Sequence, residues 1–394
     1  MKILMVNKFL YPNGGSETYM FKLGKYFSDN GHEVEYFGME HPDRCVENSA
    51  GAYTENMDFH TASALSKIKI SFKTVYSKEA YNKMLLVLNS FSPEVVHLNN
   101  FNYQLTPTVI QAVRDWEKSS NNRVKIVYTA HDTQLVCPNH AMYNDNKICE
   151  ACLGGKYINC LKGKCIHSSA VKSLFGTIEA YLWDKKKIYS ELDTIICCSE
   201  FMKKKLDTSP ILKDKTVAIH NFIQDAKIIE CEKEDYVLYF GRLSEEKGIK
   251  TMLQCKDINF KVAGSGPLEE EMRDADNIEL LGFKTGDELK ELISKARLTV
   301  CPSILYENCP FSVIESIVYG TPVVGSRIGG IPELIDEGET GLLFEPENTD
   351  DFKEKINIIL NDKELAESMS KACLEKKFDT LEQYAEKLMN IYKQ

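Results

Sequence analysis

No stretch of this 394-residue sequence approaches the ~18 consecutive apolar residues of a spanning helix, which excludes a helical membrane protein. The first residues, MKILMVNKFLYPNGG, give only a short apolar run broken at Asn7. They lack the longer apolar region and small-residue cleavage site of a secretory leader, so a cytoplasmic chain is expected. Thiols stay reduced there, which sets disulfides low among the readings of the thirteen cysteines. A strong basic stripe is missing too, and at a net charge of −10 no nucleic-acid partner is expected. The charge is uneven, however. Residues 1–220 carry 27 Lys and Arg against 23 Asp and Glu, whereas residues 221–394 carry 21 against 35. Uneven surface composition is the plain reading. The functional one is that the first half faces something anionic, a membrane leaflet or a phosphorylated substrate.

Two further absences narrow the chemistry. The stretch VAGSGPLEEEM (262–272) reads as strand, glycine turn and helix, with Gly264 and Gly266 able to bring backbone close to a phosphate or nucleoside. It lacks the third glycine of the dinucleotide fingerprint, which disfavours hydride transfer. The single Asp-x-Asp, DAD at 274–276, lies on a polar stretch between a helix and a strand, so no catalytic divalent metal is expected.

What is present is strand, glycine turn and helix, repeated. KILMVN, HEVEYFG, EVVHLNN, KIVYTAH and TIICCSE are short β-rich runs in the first half; YVLYFGRLS, FKVAGSGP, IELLGF, LTVCPS and PVVGS follow in the second. Such alternation argues for α/β architecture, with parallel sheets covered on both faces. The signal occurs twice, separated by a turn-prone link near 221–235. The expected organisation is therefore two Rossmann-like domains, 1–220 and 221–375, with a C-terminal helix in 376–394 returning to the first. Residues 60–90 are lysine-studded and amphipathic, which fits a surface helix or one resting on an anionic membrane through Lys67, Lys69 and Lys73.

Three runs carry chemistry. In FGRLSEEKG (240–248), Arg242 and Lys247 follow an apolar strand, where a guanidinium fork and an ammonium can together hold a diphosphate. In YENCPFSVIESIVYGTPVV (306–324), Glu307 and Glu315 flank a loop and a helix start near Pro310. The free N–H groups of that helix start favour an anion, and the carboxylates can accept hydrogen bonds from sugar or ribose hydroxyls. The third run, residues 137–165, holds five cysteines. Cys149 and Cys152, then Cys160 and Cys165, form two close pairs with the turn Gly154-Gly155 between them. Thiolate pairs of this kind suit a structural zinc, with Cys137 and His140 as spare ligands.

Taken in order, GGSE (14–17), TAHD (129–132), FGRLSEEKG, AGSGP, LLGF (280–283), ENCPFSVIE, YGTPVVGSRIGGIPELI and GLLF resemble glycosyltransferase family 4 across almost the whole chain. The resemblance implies a GT-B fold, two Rossmann-like domains facing across a cleft, and a retaining enzyme that uses a nucleotide-sugar. It further implies that Arg242 and Lys247 hold the donor diphosphate, that Glu307 binds hydroxyls of the transferred sugar and that Glu315 binds the ribose. The backbone of Pro310, Phe311 and Ser312 would cap phosphates and sugar, and Gly282 and Phe283 would border the base. Gly14 and Gly15 would close over the donor, and His131 would contact the sugar near the reacting centre. No residue suggests itself as a nucleophile. Departures exist: Asn308, Cys309 and Pro310 follow Glu307 where glycines are common, and Asn221-Phe222 stands where Asn-Gly is usual. A UDP-sugar donor, with GDP-mannose as its main rival, and a saccharide acceptor are expected, the latter lipid-linked at the inner face of the plasma membrane. The expected setting is cell-envelope polysaccharide assembly, such as capsule, O-antigen (lipopolysaccharide) or exopolysaccharide. The alternatives are an epimerase or phosphorylase acting on the donor, or an inactive nucleotide-sugar-binding subunit.

Overall fold

The computed structural model describes residues 1–57, 72–223 and 231–394. The chain divides into two compact units, Met1–Ile219 with Leu381–Gln394, and His220–Thr380.

The first unit is built on six parallel strands: β1 (Lys2–Val6), β2 (Glu33–Phe37), β3 (Val95–Leu98), β4 (Lys125–Ala130), and, beyond an antiparallel hairpin of β5 (Tyr143–Asn144) and β6 (Lys147–Ile148), β7 (Thr194–Cys197) and β8 (Thr216–Ala218). Their order is β2-β1-β3-β4-β7-β8. β3 is buried along its whole length, as expected of a parallel strand with helices on both faces. The helix Thr108–Ser120 turns Val109, Ile110, Val113 and Trp116 into that core. The helix Lys78–Phe91 begins at Ser77, whose hydroxyl accepts the Ala80 N–H, and buries Met84, Val87, Leu88 and Phe91.

Of the expected amphipathic helix over 60–90, the part from Lys78 onward is a helix packed on the core. Lys67 and Lys69 lie outside the described residues, and Lys73 is ion-paired with Glu55 (3.1 Å) and Glu79 (3.4 Å). The C-terminal helix Leu381–Lys393 packs on the helix Gly15–Asp29. It buries Tyr384, Leu388 and Tyr392. Its two tyrosine hydroxyls reach Tyr19 (3.0 Å) and His97 Nδ1 (2.5 Å).

The second unit carries β9 (Glu234–Phe240), β10 (Phe260–Ala263), β11 (Ile278–Gly282), β12 (Ala296–Cys301), β13 (Val323–Ser326) and β14 (Gly341–Phe344). All six are parallel, in the order β11-β10-β9-β12-β13-β14. Val237, Val262, Leu298 and Val324 meet Met252, Phe352 and Ile356 in one core. The order reverses between β9 and β12. In an open parallel sheet, the crevice outside the carboxyl ends at such a point is where ligands bind.

Candidate active site

Every motif of the second unit leaves the carboxyl end of a strand, so parallel order sets them side by side. Arg242 and Lys247 follow β9, Gly264 and Gly266 follow β10, Gly282 and Phe283 end β11, and Glu307 follows β12. Lys247 Nζ contacts Glu307 Oε1 at 2.5 Å, joining the loops on either side of the reversal. Ser303 Oγ donates to the same carboxylate oxygen at 2.6 Å. Burial opposes ionisation of Glu307, but the Lys247 charge and the hydrogen bonds from Lys247 and Ser303 outweigh it and hold the carboxyl below its ordinary value. Burial likewise works against the charged form of Lys247, and the attraction of Glu307 raises it instead. Both groups are therefore charged at neutral pH. Arg242 is exposed, and its guanidinium has no ion-pair partner among the described residues.

The glycines after β10 have a structural use in the loop packing. A Cβ on Gly264 would lie 1.9 Å from the Gly241 carbonyl oxygen, and one on Gly266 2.4 Å from that of Leu243. Their bareness lets the 241–243 loop zip onto the 263–268 loop through Leu243 N to Ser265 O (2.9 Å) and Leu268 N to Leu243 O (3.0 Å). They position Arg242. Gly329 does the same for Glu307. At φ +61°, its missing Cβ clears the Glu307 carbonyl, which accepts the Gly330 N–H at 2.8 Å.

Pro310 precedes the helix Phe311–Val318, and its end has no side-chain cap. The first-turn N–H groups of Phe311 and Ser312 are the kind that bind anions. Glu315 sits half-buried on that helix. Phe283 is 73% exposed at the tip of β11, an aromatic face open to a planar ring. Asn221, at the start of the unit, is held by Cys309: its side-chain amide donates to the Cys309 carbonyl at 2.9 Å. Phe222 meets Phe311 edge-on at 6.2 Å. The Asn-Phe departure is therefore built into the floor beneath the helix start.

In the first unit, Gly14 precedes the helix Gly15–Asp29, again without a side-chain cap. Beneath this turn Asn7, at the end of β1, donates to buried Glu17 Oε1 at 2.8 Å. Asn7 also accepts the Asn100 N–H at 2.9 Å. His131 follows β4, and its Nε2 donates to Asn99 Oδ1 at 2.9 Å, which leaves Nδ1 as the acceptor of a neutral ring. Burial pushes this imidazole down to about 3, and the same cause pushes Asp132 up to about 6. Ser303, Asn99 and Asp132 are the residues that sequence reasoning passed over. Each lies within three residues of a strand end, which is the signal that could have found them.

The family model described as Glycosyltransferase Family 4 matches residues 13–227, and that described as Glycosyl transferases group 1 matches 221–376. An uncharacterized glycosyltransferase of Methanocaldococcus jannaschii is 32% identical over 45% of this chain, a match that spans 52% of that protein's length. A 42.6 kDa protein in the cps region of Klebsiella pneumoniae is 24% identical over 85% of this chain and 87% of its own. N-acetyl-alpha-D-glucosaminyl L-malate synthase of Bacillus anthracis is 22% identical over 97% of this chain and 93% of its own. Among solved structures, HepE of Anabaena in complex with UDP superposes with a TM-score of 0.64 at 16% identity, covering 100% of both chains.

Proposed function

The chain belongs to Glycosyltransferase Family 4 and has the fold of GT-B glycosyltransferases, and from that premise we propose that it is a retaining enzyme moving a hexose from a UDP-sugar to a saccharide acceptor. The observation that carries this reading is the Lys247–Glu307 pair across the sheet reversal, with Arg242, which has no ion-pair partner among the described residues, and the uncapped helix start in the same unit. Breaking the bond from sugar C1 to the diphosphate oxygen leaves negative charge on the departing phosphate and positive character on the ring. Arg242, Lys247 and the N–H groups of Phe311 and Ser312 meet that phosphate charge with fixed donors, which need no reorganisation as it develops. Glu307 aims Lys247 and has a second oxygen for a sugar hydroxyl. Glu315 takes the ribose hydroxyls, and Phe283 stacks on the base. The acceptor hydroxyl attacks C1 from the face the phosphate leaves, and its proton passes to the departing phosphate oxygen. No side-chain nucleophile and no metal enter this scheme. UDP is favoured as the leaving nucleotide because HepE, a structural relative, binds it.

For the acceptor, we favour a lipid-linked saccharide of envelope polysaccharide assembly, handled at an anionic leaflet. The relative in a cps region supports the setting. The surface of the first unit supports the leaflet: on the helix Ala170–Lys185, Val171, Leu174, Ile178 and Tyr181 are 63%, 41%, 45% and 40% exposed. Their spacing of three and four residues places them on one stripe. Exposed Lys172, Lys185 and Lys187 surround it. A panel of UDP- and GDP-sugars, with and without saccharide acceptors and with mass detection of product, tests the reading. Acceptor-dependent UDP release that Lys247→Ala abolishes is expected. Tight UDP binding with no turnover of any donor would instead establish a binding subunit, and an altered donor formed without acceptor would establish an epimerase.

A further inference from the structure

The insertion between β4 and the helix Ala170–Lys185 has little apolar material of its own. Its secondary structure is the β5–β6 hairpin and the five-residue helix Ile158–Lys162. Its core is Cys152, Tyr157 and Cys160, backed by Cys165, Ile166 and Ala180. Cys137, Cys149, Cys152, Cys160 and Cys165 line one small cavity, together with Asn139 and Met142. The space among them, about 10 Å³, is that of a single water-sized sphere. Cys152 lies within electrostatic reach of all four other thiols. Every one of the five is a free thiol. Cys137 Sγ donates to Asn139 Oδ1 at 2.9 Å, and Cys165 Sγ makes a longer hydrogen bond to the Asn159 carbonyl at 4.0 Å.

We propose that one zinc ion occupies this cavity, bound by the thiolates of Cys149, Cys152, Cys160 and Cys165, and that it orders the insertion. Four thiolates in tetrahedral array select zinc, and a one-sphere cavity suits one ion rather than a polynuclear cluster. Among the described residues no group of three or more His, Cys, Asp or Glu is placed to hold a metal ion, so binding requires the thiols to turn inward from the cavity wall. The insertion is tied to the site of its own unit. His140 stacks on Tyr103 at 4.6 Å and its Nε2 meets Asn102 at 3.0 Å. Asn99, three residues before Asn102, holds His131. Metal binding and folding are coupled in such loops.

The test is elemental analysis of the full chain purified under reducing conditions without chelator. About one zinc per chain is expected, lost in Cys152→Ser and retained in Cys137→Ser. Wild-type protein stripped with a chelator and given cobalt should develop the thiolate-to-cobalt charge-transfer absorption of a tetrahedral site, and its thermal unfolding temperature should fall on stripping. The cobalt readout uses unmutated protein, so it stands even where a cysteine variant fails to fold. Protein without stoichiometric zinc that takes up no cobalt overturns the proposal. Zinc retained in Cys152→Ser, or lost in Cys137→Ser, overturns the ligand set.

Discussion

Two glutamates of this chain shift in opposite directions, one ion-paired with a lysine and the other moved by burial alone. Glu307 is held below its ordinary value by Lys247 and Ser303, which outweigh its burial. Its contribution to stability is present at neutral pH and is lost as pH falls through that depressed value. Glu307→Gln should therefore be less stable to urea than wild type at pH 7, by about 1–3 kcal/mol for the charge-assisted hydrogen bonds lost, with the deficit closing in acid. Glu179 lies on the buried face of the helix Ala170–Lys185, and burial pushes it up to about 8. Between about 4.3 and that value, the folded state keeps a proton the unfolded chain releases, so stability falls as pH rises. Glu179→Gln should gain about 4 kcal/mol at pH 7–8 and nothing at pH 4, which a pair of urea titrations checks. For catalysis, Lys247→Ala should lower kcat by about 10²–10³-fold and weaken UDP binding. Unchanged kcat would remove Lys247 from the phosphate site. Arg242, Lys247 and Glu307 stood out because they sit in FGRLSEEKG and ENCPFSVIE, two of the runs that carry the family resemblance. Ser303 and Asn99 were not, because a hydroxyl or amide acquires a role only through the partner the fold sets opposite it.

Among the elements, the C-terminal helix Leu381–Lys393 belongs to the first unit by its hydroxyls as much as by its apolar face. His97 is fully buried on β3, with Nδ1 on the Tyr392 hydroxyl and Nε2 on Thr129 Oγ1 at 2.7 Å. Burial first, and the charge of His131 second, push this imidazole down to about 3, so it stays neutral and both nitrogens need partners. Tyr392→Phe should cost about 1–3 kcal/mol by leaving Nδ1 unsatisfied, measured by urea denaturation at pH 7. An unchanged midpoint would show that the helix docks by apolar contact alone. The strands were readable as short continuous apolar runs, and this helix because its buried residues repeat at helix period. The division at Ile219 and His220 falls just before the link read at 221–235. The insertion was less legible. Its hairpin and short helix are too brief for periodicity, and its positive-φ residues His140, Met142, Asp145 and Asn146 follow turn geometry rather than pattern.

Across the whole molecule, residues 1–220 carry a net +4 and residues 221–394 a net −14, and the proposed contact with an anionic leaflet draws on the first of these. The lysines first singled out do not make that surface alone, since Lys73 spends its charge on Glu55 and Glu79. The exposed stripe Val171–Leu174–Ile178–Tyr181 adds the apolar component, and Phe72, 64% exposed and edge-on to Phe175, lies beside it. The two components respond differently to salt. Lysine attraction to anionic headgroups is screened within a Debye length of about 3 Å at 1 M ionic strength, whereas burial of apolar side chains among the acyl chains persists. Wild-type protein should bind vesicles containing anionic lipid at low salt and remain partly bound at high salt. Leu174→Glu with Ile178→Glu should abolish the salt-resistant fraction while UDP affinity and thermal stability hold, because both side chains already face water. Sedimentation with vesicles at the two salt concentrations reads both effects. Equal binding of variant and wild type at high salt would show that the stripe meets something other than lipid, and the leaflet reading of the acceptor would fall with it.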